Sequence, residues 1–181
     1  MEIKALASVQ VLAHPADTSP DGRGRHLISY LSVFGAIPLP IPFLRRVFAD
    51  GFLEEGQVFP ILGGMRVVHT PGHTPGSVCF YLESRGIIFL GDKVVSNGRH
   101  VGGSMPYPKT DMRLYEKSLC RMAELDFDIA CLAHGQVFQG DADQRIRRML
   151  DWHFRTPMWL RILRTVPPVF SLGRPTGFKE S

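Results

Sequence analysis

Between Gln57 and Asp92, apolar residues either alternate with polar ones or run together, and Gly-containing turns separate one group from the next. That spacing marks short strands, not helices. The groups "QVFPIL", "MRVVH", "SVCFYLE" and "GIIFLGD" predict four strands in quick succession. Upstream, "SVQVLA" predicts another, closed by the turn-forming stretch "HPADTSPDGRG". "RHLISYLSVFG" then predicts a helix, ended by the Pro-rich "AIPLPIPFL". Beyond Thr110 the period lengthens. "TDMRLYEKSLCRMAEL" places Tyr115, Leu119 and Met122 on one helical face, with Thr110 or Asp111 as its cap. "DADQRIRRMLDWHF" does the same with Ile146, Met149, Leu150 and Phe154 behind Asp141, and between the two helices "FDIACLAHG" predicts a buried strand ending at a histidine. Strands first and helices late predict an α+β chain, a sheet with helices on its outer face.

Composition narrows the setting. A length of 181 residues is enough for one domain with its own core, expected over 1–150, with a basic and aromatic extension over 151–181. The net charge of +4 gathers late, in "DQRIRRML" and "RTPMWLRILR", and gives no evidence for a nucleic-acid groove, so no nucleic-acid partner is expected and a small-molecule substrate is the partner that the family resemblance below implies. The aromatic and arginine stripe of the extension is expected to pack on its own domain or to join copies into a homo-oligomer, in preference to lying on a membrane surface. Cys79, Cys120 and Cys131 lie in or beside apolar runs without CxxC spacing. They read as reduced core thiols, which predicts a cytoplasmic location. No secretory leader is visible, and "LISYLSVFGAIPLPIPFL" carries Gly35 and Pro38, Pro40 and Pro42, which suit a cover over a pocket or core better than a spanning helix.

Candidate chemistry lies where three apolar strands run out. Each meets a metal-ligand residue beside a glycine: His73 after Gly72, Asp92 after Gly91, and His134 before Gly135. Strand ends project functional groups from a rigid base, and the glycines allow a sharp turn there. Imidazole with carboxylate suits zinc, iron or manganese, and such a site can make a held water acidic enough to supply hydroxide near neutral pH. Taken singly, a strand-end histidine is often just hydrogen-bonded and a Gly-Asp pair just a turn.

The stretch "HTPGHTPGS" (His69 to Ser77), the "FLGD" strand end and the later "AHG" together resemble the metallo-β-lactamase superfamily of metal-dependent hydrolases, and "VQVLAHPAD" resembles the strand and turn before them. The resemblance covers roughly residues 1–150. It implies a sandwich of two mixed β-sheets with helices on both outer faces and the site at one edge. It also implies one or two Zn2+ ions, or iron or manganese, with His73 on the first metal, Asp92 bridging as the catalytic carboxylate and His134 on the second. The family's first signature, His-x-His-x-Asp-His, does not occur in the sequence. The expectation is therefore a partial αββα sandwich without its N-terminal strands and first metal motif. The implied reaction is attack of metal-activated water on an ester, thioester, lactone or phosphoester. Asp92, where one antibiotic-cleaving group has Cys, and the doubled Pro-Gly turn favour the thioesterase-like branch. The alternatives are an iron-binding redox relative, or a non-catalytic remnant or half-domain that needs a partner.

Other residues complete the expected surroundings. His69 is expected to brace the ligand turn, and Thr74 and Ser77 to satisfy its backbone, since no base is placed to make a serine nucleophile. Both Pro-Gly pairs predict turns whose glycine takes positive φ. His14 reads as a turn residue, and His26, His100 and His153 as surface or helix-face groups. "HVGGSMPYPKTD" reads either as a pocket rim walled by Met105 and Tyr107 or as a plain connection.

Overall fold

The computed structural model describes residues 9–18, 49–96, 101–103 and 110–155. The predicted helix over 25–35, the Pro-rich segment after it, His26, His100, Met105, Tyr107 and the tail beyond Arg155 lie outside the described residues, as do the side chains of His153 and Phe154.

Leu12–Ala13 (β1) pairs in parallel with Gly51–Phe52 (β2) as a two-stranded sheet. Val58–Phe59 (β3), Met65–His69 (β4), Val78–Leu82 (β5), Ile87–Ser96 (β6), Val101–Gly103 (β7), Ile129–His134 (β8) and Phe138–Gln139 (β9) form a seven-stranded sheet. Its order is β3-β4-β5-β6-β8-β9, with β7 also on β6. β3 to β6 pair antiparallel, whereas β8 lies parallel to β6. A parallel return needs a crossover, and the helix Met112–Ala123 (α1) supplies it. The helix Ala142–Arg155 (α2) follows β9.

Strand alternation gives the large sheet two unlike faces. One carries Val68, Cys79, Tyr81, Ile88, Leu90, Val94 and Ala130 into a core with Tyr115, Leu119 and Met122 of α1 and Ile146, Met149 and Leu150 of α2. These helical residues are the predicted stripes. α1 starts at Asp111, whose carboxylate accepts from Leu114 N at 3.0 Å. On the other face Val67, Phe80, Phe89 and Cys131 stand in one row across β4, β5, β6 and β8, and Phe89 stays 39% exposed.

Several expectations need correction. "QVFPIL" is a strand only at Val58–Phe59. Pro60 cannot donate to a ladder, and Leu62, Gly63 and Gly64 then turn through positive φ. "SVQVLA" is a strand only at Leu12–Ala13. β6 does not stop at Asp92 but continues to Ser96. Its pairing with β8 shifts register on both sides of Gly91, so Asp92 sits at an irregularity inside a strand. Cys120 is exposed, one position off the buried stripe of α1, and Cys131 is half-buried. Of the three free thiols only Cys79 belongs to the core, where burial pushes it up to about 11.

Candidate metal centre

The segment from His69 to Ser77 is bonded both within itself and to several neighbouring elements. Gly72 N donates to Thr74 O at 3.0 Å, Thr70 N to Ser77 O at 2.8 Å, and Thr74 N to Ser77 Oγ at 3.0 Å. Thr74 Oγ1 and Ser77 Oγ lie 2.8 Å apart. Gly72 has φ +127°, and a Cβ there would lie 2.2 Å from Tyr115 N, so the turn packs directly on the first turn of α1. Gly76, in contrast, is absent from the residues with positive φ. It is glycine for a different reason: a Cβ would stand 2.6 Å from Asp17 Cγ. The second Pro-Gly pair is thus a close approach, not the left-handed turn expected of it.

His69 closes the segment from behind. Its Nε2 meets Pro75 O at 2.9 Å, and its ring stacks on His14 at 3.9 Å with 13° between the planes. Its backbone N–H donates to Glu55 Oε2, and its carbonyl accepts from Arg121 Nη1 at 3.3 Å. Arg121 also pairs with Glu55. Burial pushes the Glu55 carboxyl up, but the bonds from His69 N and Arg121 outweigh it and leave it below its ordinary value.

Asp92 and His134 meet on the open side. Parallel pairing of β6 and β8 sets Val95 opposite His134, and the irregularity at Gly91, with φ +55°, brings Asp92 alongside. His134 Nε2 lies 3.2 Å from Asp92 Oδ1, and the two side chains remain 74% and 47% exposed. Behind His134, Gly135 has φ +118°, and a Cβ there would fall 2.1 Å from Ser96 O. His73 is buried at 7% exposure. Burial pushes its imidazole below the ordinary histidine value. Asp92 pulls it up, Lys93 down, Asp17 up and His134 down, so all four charges act on this one ring.

Lys93, unremarked in the sequence, is 1% exposed beneath this arrangement. The irregularity around Gly91 breaks the alternation of β6, so Lys93 and Val94 are both buried while Asp92 stays exposed, and Lys93 Nζ donates to Pro71 O at 3.1 Å and lies 5.0 Å from the Tyr115 ring centre. Ser118 Oγ donates to the same carbonyl at 2.6 Å. Burial pushes Lys93 down to about 8, against the pull of Cys79 and Asp17. Asp17 was missed as well. Its Oδ1 accepts from Gly76 N at 2.8 Å and its Oδ2 from Thr74 Oγ1 at 2.5 Å. Both are contacts between segments far apart in sequence, and only the "AHPAD" turn hinted at a structured partner.

Donor chemistry and spacing fit a borderline divalent cation for one pair. Two ligands held at about 2.0–2.2 Å by a tetrahedral ion stand roughly 3.3–3.6 Å apart, slightly more than the Asp92–His134 separation of 3.2 Å. Among the described residues no three His, Cys, Asp or Glu side chains come together as a metal-holding group. Asp92 and His134 form a contacting pair, with His73 within electrostatic reach of both.

The family model of the metallo-β-lactamase superfamily matches residues 5–134, a span that holds the whole arrangement. The chain belongs to the metallo-β-lactamase superfamily. Among sequence relatives, the atrochrysone carboxyl ACP thioesterase AgnL7 of Paecilomyces divaricatus is 34% identical over 86 residues, covering 47% of this chain and 25% of that protein. The chain spans about a quarter to a third of the length of the curated relatives it matches. An archaeal superfamily protein from Sulfolobus tokodaii shares the fold, with a TM-score of 0.65 at 22% identity over 86% of this chain and 62% of that one. A second solved structure, TTHA1623 in a di-iron-bound form, is 30% identical with a TM-score of 0.50, over 87% of this chain and 67% of that one. The α+β architecture, mixed sheets with helices outside, is that of the superfamily.

Proposed function

We propose that this metallo-β-lactamase superfamily chain is a metal-dependent hydrolase of a small-molecule carboxylic thioester or ester. The observation that carries the reading is the contact between Asp92 and His134, open to solvent, beside the buried His73. A bound zinc, iron or manganese ion would supply an acidified water and polarise the carbonyl under attack. Asp92 Oδ1 and His134 Nε2 would hold the ion, and His73 would join them. The second oxygen of Asp92 is the proposed acceptor for the proton of the attacking water. Gly91 and Gly135 fix where the two donors emerge, and the Thr74–Ser77 bonds fix the loop that carries His73. The thioesterase name of one relative supports a thioester over a phosphoester, and the di-iron form of another supports testing iron beside zinc.

Purified chain loaded with Zn2+ or Fe2+ should be assayed against acyl thioester, carboxylic ester, lactone and phosphodiester substrates, with a chelated control. The expected result is metal-dependent thioester or ester turnover that falls about 100-fold or more in Asp92→Asn. Equal turnover by chelated protein, no turnover on any substrate, or turnover of phosphodiesters alone would each contradict the proposal.

A further inference from the structure

We infer that Asp17 is a positioning residue of this centre: its carboxylate, delivered by the His14–Thr18 turn, clamps the loop that carries His73. The inference deepens the hydrolase reading and rests on it only for the metal half of the test below.

The carboxylate comes from a rigid base. Pro15–Asp17 forms a single 3-10 turn in which His14 Nδ1 accepts from Ala16 N at 3.2 Å, Asp17 N donates to His14 O at 3.0 Å, and Thr18 N donates to Pro15 O at 3.0 Å. The His14 ring lies flat on His69, so the same turn is seated on the end of β4 where the loop begins. From there Asp17 reaches across the loop. Oδ1 takes Gly76 N and Oδ2 takes Thr74 Oγ1, partners 59 and 57 residues away in sequence. Hydrogen bonds to an ionised acceptor are stronger than neutral ones, and two of them on separate oxygens fix orientation as well as distance.

The loop's own sequence is fitted to this carboxylate. Gly76 does not have positive φ, so no backbone requirement excludes a side chain there. The exclusion comes from Asp17, whose Cγ, N and Cβ would lie 2.6, 2.8 and 2.9 Å from an added Cβ. The clamped residues lie on the C-terminal side of His73, and Gly72 seats the other side against Tyr115 of α1. His73 is thereby held between two anchors. Partners that orient a ligand from outside its coordination shell typically change metal affinity about 10–100-fold.

The test compares the full chain with Asp17→Asn, which keeps size and one acceptor, and Asp17→Ala, which removes both oxygens. In metal-free protein, amide hydrogen exchange at Gly76 is expected to quicken at least about tenfold in Asp17→Ala while Tyr81 and Leu90 in the core strands keep their native rates. Co2+ affinity should fall about 10–100-fold in Asp17→Ala, with Asp17→Asn in between. Unchanged Gly76 exchange would overturn the inference. So would an equal quickening at Tyr81 and Leu90, which would assign Asp17 to general stability. If Asp17→Ala does not fold, Asp17→Asn supplies the same comparison. Should the native chain take up no Co2+, the hydrolase reading fails, and Gly76 exchange still decides the clamp.

Discussion

Gly135 and Gly72 each occupy a spot that a single methyl group would overfill. A Cβ at Gly135 would lie 2.1 Å from Ser96 O, and one at Gly72 would lie 2.2 Å from Tyr115 N, both against backbone that cannot swing aside. Gly135→Ala is expected to cost about 2 kcal/mol or more in urea unfolding. Gly140→Ala is the control. It has φ +68° but nothing within 4 Å of its added Cβ. It should cost only the left-handed strain of about 1 kcal/mol. His14 governs a second expectation. Burial and the neighbouring His69 hold its pKa below the ordinary 6.5, with Asp17 pulling the other way. The unfolded chain then binds more protons than the folded one once the pH drops under 6.5. The contribution of His14 is fully present above that value and declines as the pH falls through it. Protonation also removes the Nδ1 acceptor used by Ala16 N. The urea midpoint should therefore drop on acidification, and less so in His14→Phe, which retains a ring to stack. A variant with the native pH profile would count against this reading.

At the level of strands and helices, α1 is the element on which the arrangement leans. Leu119 is 1% exposed within the core, whereas Leu114, on the same helix, is 42% exposed. Leu119→Ala should cost about 2–5 kcal/mol and Leu114→Ala less than about 0.5 kcal/mol, by equilibrium denaturation. The period of four along this helix, and its Asp111 cap, were readable because both are local signals. So were Met65–His69 and Val78–Leu82, whose bounds fall inside the runs "MRVVH" and "SVCFYLE". Pro60 cut a predicted strand short because it lacks the N–H that the ladder needs. In the sequence Asp92 reads as a strand end, but the register shift at Gly91 depends on how β8 pairs with β6, a relation no single stretch of sequence encodes. For Gly76 the Pro-Gly pair predicts a φ requirement, whereas its constraint is a carboxylate 59 residues upstream. Lys93 and Asp17 passed unnoticed for the same reason: a lysine after "GD" and an aspartate in a turn read as surface groups until the partner segments are brought together in space.

Among the described residues, the seven-stranded sheet brings Asp92 against His134 with His73 within electrostatic reach of both, and the two helices pack on the core face of that sheet. No helix among the described residues is long and apolar enough to cross a membrane. If the donors act as proposed, a metal that binds only the folded chain must also stabilise it, so zinc in excess should raise the melting temperature and a chelator should reverse the rise. The decisive experiment is a Co2+ titration of the native chain, Asp92→Ala and His134→Ala, followed by visible absorption and by bound-metal analysis. The native chain should take up cobalt stoichiometrically with a d–d spectrum showing nitrogen and oxygen ligation, and each variant should lose that spectrum and most of the affinity. Uptake by both variants with the native spectrum and affinity would show that the Asp92–His134 pair holds no metal.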